Sequence, residues 1–269
     1  MRSRSLFLGC SLLLGSACER SSATAQPETV APEPAATARA DEHAMPYGER
    51  TIYVYADPSL ALEVQRLFAL FQDLEAEQVP IDRTTQLPIG WTTLSFAVEG
   101  ERGERLVVLE PDYANQPETR TRQDISVSLA TLARQRAVLE QAGVPGQPID
   151  FDEHVLAIRG SLELDEVFLL RVDSPGGRMT GWRLSPTDGI PEGSETVSLP
   201  VYAILEARPA LLDAMLLPAG YMAFYSGDTL TTIVNERDEV VWDWTLAPAE
   251  LEREPADAQP LLEPIEPID

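Results

Sequence analysis

Cys10 and Cys18 are the only cysteines in 269 residues, and both lie within the first 18. Everything downstream must therefore fold on its apolar core alone, without a disulfide, a thiolate nucleophile or a cysteine metal site. Histidine is almost as scarce: His43 and His154 are the only two. A serine–histidine triad, a zinc cluster or a haem would have to rest on His154, because His43 falls in a stretch that reads as linker. The setting Phe151-Asp152-Glu153-His154-Val155-Leu156 reads as the mouth of a strand, where a hydrogen-bonded histidine is expected. All 20 basic residues are arginine. The absence of lysine excludes Schiff-base chemistry and a phosphate-loop lysine.

The chain opens with Met1-Arg2-Ser3-Arg4, two positive charges and no acid. An apolar stretch of Leu6, Phe7, Leu8, Leu12, Leu13 and Leu14 follows, then Gly15-Ser16-Ala17-Cys18. A basic start, a short apolar core and small residues at the break describe a secretory signal. The run stops short of the ~20 apolar residues that a spanning helix needs. Small residues before a cysteine resemble the signal of a lipoprotein, which implies a diacylated Cys18 at the mature N-terminus. Gly15 stands where leucine is usual in such signals, and Cys10 leaves too little apolar core before it. Glu19 after the cysteine resembles lipoproteins passed on to an outer membrane. The expected location is the cell envelope, lipid-anchored, at the outer membrane facing the periplasm or the cell surface. Ordinary secretion with cleavage nearby is the alternative.

Residues 1–18 hold Arg2, Arg4 and no acid, so a chain cut before Cys18 keeps 18 arginines against 44 acids, a formal charge of −26. Such a field repels nucleic acid and anionic headgroups and attracts basic proteins.

Residues 19–47 are rich in Ala, Pro, Glu, Thr and Ser and read as a disordered linker, because they cannot bury enough surface to offset their ordering entropy. Residues 247–269 form an acidic, Pro-rich tail of similar character. About 200 residues lie between, read as an N-terminal subdomain at 48–148 and a C-terminal domain at 149–246. Thr51–Ala56 is a β-rich run. Asp57-Pro58 reads as a helix cap, and Leu60, Val64, Leu67, Phe68, Phe71 and Leu74 recur at helical spacing over 58–77. Trp91–Val98 and Arg105–Glu110, around Gly100 and Gly103, predict a hairpin. A second helix is predicted from Ser126 to Ala142, closed by Gly143 and Pro145. Beyond Pro148 the texture is mainly β, with strands at 155–158, 167–172, 182–184, 221–225, 230–234 and 240–244. Two short helices, Pro200–Ala207 and Pro209–Leu217, interrupt it. The fold class is α+β: mixed, largely antiparallel sheets packed with a few helices, in two subdomains.

No arrangement of residues points to catalysis or to a cofactor. With 44 acids, carboxylate pairs arise by chance. Glu163-Leu164-Asp165-Glu166 and Asn235-Glu236-Arg237-Asp238-Glu239 read as turns and lack the glycine-centred spacing of a calcium loop. Ser226-Gly227-Asp228 lacks a nucleophile elbow. Asp173-Ser174-Pro175-Gly176-Gly177 has no helix behind it to cradle a phosphate.

One ordered set of elements remains. Val167-Phe168-Leu169-Leu170-Arg171 is followed by Thr180-Gly181-Trp182-Arg183-Leu184, then Thr196-Val197-Ser198-Leu199. Ala207-Arg208-Pro209-Ala210-Leu211-Leu212 and Leu217-Pro218-Ala219-Gly220-Tyr221 complete it. Over residues 155–244 this order resembles the bacterial Immunity protein 33 family, whose Asp-Ser-Gly-Trp is here Met179-Thr180-Gly181-Trp182. The matching positions are Gly181, Trp182, Arg183, Pro209, Pro218 and Gly220. The glycines and prolines are expected to shape turns and Trp182 to pack, while Arg183 is the candidate for partner contact, a structural salt bridge being its alternative. The resemblance implies a protein that binds and neutralises a toxin; together with the signal-like start before Cys18 and the lack of catalytic residues, the expectation is a lipid-anchored, non-catalytic binding protein. Its expected partners are a basic protein toxin and a membrane through the lipid. The rival is an envelope structural or accessory lipoprotein.

Overall fold

The computed structural model describes residues 40–243 apart from Pro175. Cys18, Trp244 and the acidic tail lie outside the described residues. Thirteen strands form two mixed sheets, with helices packed against them, so the fold is α+β as the sequence pattern predicts.

The first sheet comprises β1 (Asp41–Tyr47), β2 (Arg50–Ala56), β3 (Leu87–Ile89), β4 (Thr92–Glu99), β5 (Arg105–Pro111) and β6 (Thr121–Arg122). Its order is β1-β2-β5-β4-β3, with β6 on the end of β5; β2 and β5 are parallel and the other pairs antiparallel. β1 lies where the sequence reads as linker: from Asp41 onward that segment pairs with β2 and buries Met45 and Tyr47. His43 therefore sits in a strand.

Asp57 accepts a hydrogen bond from the Ser59 amide at 2.9 Å and starts the turn into α1 (Ala61–Ala76). Val64, Leu67 and Phe71 fall on one side of α1 and pack on Ile52, Val54, Leu94 and Leu106. Burial of each such side chain contributes about 1.5–3 kcal/mol.

α2 (Ser126–Ala142) ends at Gly143, whose φ of 66° is the left-handed conformation of a helix stop. This helix serves both cores. Leu129 belongs to the first, Val138 to the second, and Leu132 packs against each. The hydroxyl and amide side chains of Ser128, Thr131 and Gln135 are also buried, so α2 shows no simple two-faced pattern.

The second sheet holds β7 (His154–Ile158), β8 (Glu166–Arg171), β9 (Met179–Pro186), β10 (Thr196–Pro200), β11 (Met222–Ser226), β12 (Thr229–Val234) and β13 (Val240–Asp243), in the order β10-β7-β9-β8-β11-β12-β13. Only β7 and β9 are parallel in it. β10 covers residues that the sequence leaves unassigned ahead of α3 (Val201–Ala207). A 3-10 turn follows at Pro209–Ala214. Val155, Leu169, Trp182, Leu184, Ala223 and Ile233 point from this sheet into a core closed by Ile204, Leu211 and Leu212. Trp91 and Tyr113, from the N-terminal half, stack at 5.0 Å within the same core.

Candidate functional site

The motif positions have separate jobs, and most of them point inward. Arg171, at the end of β8, is 2% exposed and opposite Trp182 across the β8–β9 pair. Its Nη1 donates to the carbonyls of Gln147 (2.9 Å), Met215 (3.3 Å) and Leu217 (2.7 Å). Burial pushes its guanidinium down to about 10, which leaves it charged at neutral pH. Trp182 is fully buried and its Nε1 donates to the same Met215 carbonyl at 2.8 Å. The Pro218-Ala219-Gly220 turn closes the arrangement: the Gly220 amide donates to the Arg171 carbonyl and the Arg171 amide to the Tyr221 carbonyl. Pro209 starts the 3-10 turn that leads to Met215.

Gly181 has φ +84°, and a Cβ there would lie 2.2 Å from the Val172 carbonyl oxygen. Only glycine fits that approach. Next to it, the Thr180 hydroxyl donates to the His154 carbonyl and accepts from the Trp182 amide. Both bonds need only a hydroxyl, so threonine in place of the serine keeps them. Arg208 is a second buried arginine; it donates to the carbonyls of Leu164, Asp165 and Gly227 and ties two turns to the 3-10 segment.

Arg183 is the exception. It follows Trp182 on β9 and points to the opposite face of the sheet, where it is exposed. It makes no hydrogen bond, ion pair or ring contact with the described residues, which removes the salt-bridge alternative among them. Strand register places it between Leu156 of β7 and Leu170 of β8. Leu170 in turn faces Met222, and Met222 faces Val234. The adjacent row holds Phe168 and Phe224, whose rings stack at 5.6 Å. Leu156, Phe168, Leu170, Met222, Phe224 and Val234 are only partly buried, and none belongs to either core. The sheet thus has a second, largely apolar face, on which Ser185, Ser198 and Thr232 also lie, with one cation, Arg183, that is unpaired among the described residues. An outward face of this kind is ordinarily polar. The residues that make it escape a linear reading, although β8 and β11 announce it by being apolar at both alternating positions.

His154 opens β7, as expected for a strand mouth, and its Nδ1 lies 2.9 Å from Ser198 Oγ on β10. Among the described residues, no carboxylate is a hydrogen-bond partner of its ring. Ser226-Gly227-Asp228 forms the β11–β12 turn, and Asn235–Glu239 the β12–β13 turn. Among the described residues, no group of three or more His, Cys, Asp and Glu side chains is placed to hold a metal ion.

A separate buried group lies beneath α2. Glu110 is fully buried; its carboxylate accepts from the Ser128 amide in the first turn of α2 at 2.7 Å and pairs with Arg122 at 2.7 Å. Burial pushes its carboxyl up to about 7, against the opposing pull of Ser128 and Arg122. The Ser128 hydroxyl, Tyr113 and Thr92 continue the chain of contacts at 3.0 and 2.6 Å. Among 44 acids, nothing in the sequence sets Glu110 apart.

No curated protein and no solved structure gives a match to this chain. Residues 134–236, from the middle of α2 to the β12–β13 turn and with every motif position among them, match the Imm33-like domain.

Proposed function

We propose that this protein is a lipid-anchored, non-catalytic immunity protein that neutralises a toxin by binding it. The match of residues 134–236 to the Imm33-like domain carries this reading. Two further features support it: a formal charge of −24 suits a basic toxin, and the signal-like start before Cys18 suits delivery to the envelope. In this reading Cys18 carries the lipid at the outer membrane, and the chain meets its toxin in the periplasm or at the cell surface.

Cells carrying the full-length gene should survive a toxin encoded beside it, and cells deleted for the gene should not. Deletion that leaves cells resistant to every adjacent toxin candidate sinks the immunity reading. For the anchor, Cys18→Ser should move the protein from the membrane fraction to the soluble one. A variant that stays membrane-bound refutes the lipid attachment.

A further inference from the structure

We infer that the apolar face centred on Arg183 is where this protein takes its partner, a basic protein surface with an acidic side chain set in an apolar patch. This rests on the immunity reading above and assigns it a surface.

The face is continuous. Cross-strand register links Ser198, Leu156, Arg183, Leu170, Met222, Val234 and Val240 in a single row over all seven strands. At ~4.8 Å between strands and ~3.4 Å per residue, seven strands of about five residues present roughly 500 Å². A stable interface buries about 800 Å² on each partner. The surrounding turns therefore have to join the contact, and they are acidic on balance: Asp188 and Glu192 after β9, Asp228 (3.4 Å from Arg208) after β11, and Glu236, Asp238 and Glu239 against the single Arg237 after β12.

The face also has an anchoring point. In the β9–β10 loop Ile190 is 60% exposed. With Leu156, Ile158, Arg183, Ser185 and Thr196 it lines a groove of about 270 Å³. A side chain entering that groove comes to rest beside the Arg183 guanidinium, which has no partner among the described residues. A carboxylate suits this position, because docking removes water from a pair that is bidentate and charge-assisted.

Charge decides between occupants. A second copy of this chain would bring another −24 and the same acidic turns, so self-association across this face works against repulsion. A basic partner gains from the same turns, is steered by them, and places its own acid against Arg183.

The test uses the full chain in detergent and, as probe, an inactivated form of the toxin domain encoded beside its gene, with affinity read by calorimetry. Arg183→Glu should weaken binding by about 30-fold or more, as loss of a central anchor does, with an unchanged melting temperature. Arg183→Lys should restore part of it. Leu62→Glu, on the exposed side of α1, should leave binding unchanged. Equal binding by wild type and Arg183→Glu overturns the surface assignment and leaves the immunity reading intact. No binding by wild type overturns the immunity reading itself, and this inference with it. A free chain that sediments as a dimer dispersed by Arg183→Glu also overturns the inference, because a second copy is then the occupant. Amides of β8 and β11 that gain solvent exchange only after residues 244–269 are removed overturn it in favour of the chain's own tail.

Discussion

Replacing Glu110 with glutamine should change how the stability of this protein depends on pH. The carboxyl is fully buried and lies at about 7, against an ordinary 4.5, because burial penalises the ionised form more than Arg122 and the Ser128 amide favour it. The folded state then binds a proton that the unfolded state has released. Glu110 contributes most to stability below pH 4.5; the contribution declines as pH rises towards 7 and is gone above it. At 1.36 kcal/mol per pH unit the whole decline is about 3 kcal/mol. Glutamine has nearly the same shape, keeps an oxygen for the Ser128 amide and does not titrate. Its –NH₂ then faces Arg122, whose side chain is 37% exposed and can turn to water. Urea unfolding of both proteins between about pH 5 and pH 8 measures the difference. Repulsion among the many acids affects wild type and variant alike and cancels. The advantage of wild type over Glu110→Gln should shrink by about 2–3 kcal/mol across that range, most of the whole decline. An advantage that stays constant or grows with pH refutes the reasoning, since it means that Arg122 and the helix amide hold Glu110 ionised.

Gly181→Ala should lower stability by about 2 kcal/mol or more, because it puts a Cβ against the Val172 carbonyl at a left-handed φ; thermal unfolding reads this, and an unshifted melting temperature would contradict the geometry. Arg171→Met should cost about 3 kcal/mol or more by leaving the carbonyls of Gln147, Met215 and Leu217 without their buried donor; chemical denaturation checks it, and a neutral effect would show that water replaces the guanidinium. Trp182→Phe should cost about 1 kcal/mol through the lost Nε1 bond to Met215, with less effect than Arg171→Met in the same assay.

Local signals in this chain were readable and non-local ones were not. Asp57 caps the turn before α1, and Gly143 ends α2 in a left-handed conformation, because each effect is settled within a few residues. β1 was hidden because Asp41–Tyr47 has no strand-like texture of its own; its identity comes from seven register pairs with β2. β10 is similar: Thr196–Pro200 becomes a strand only by pairing with β7, about forty residues earlier in the chain. α2 was found by its apolar spacing, but Leu132 packs against two cores, and no periodicity tells a helix with two partners from a helix with one. Glu110 was invisible because its burial depends on β5, β6 and α2 meeting.

The same distinction separates what the family resemblance explains from what it leaves open. Gly181 permits a close backbone approach, Trp182 and Arg171 share the Met215 carbonyl, and Gly220 donates to Arg171. Each position is accounted for inside the fold, so agreement there reports architecture and carries no information about a partner. Arg183 matches the motif equally well and makes no hydrogen bond or ion pair among the described residues. Arg183 is exposed on a face that includes Leu156, Leu170, Met222 and two phenylalanines, so its charge is hydrated in the free protein; covering that face would desolvate it, which is costly for a charge left without a partner. A carboxylate supplied by the docked surface offsets that cost. In the proposed docking Arg183 is the motif position that meets the partner, and Arg183→Glu, an exposed substitution, is the variant expected to separate binding from folding.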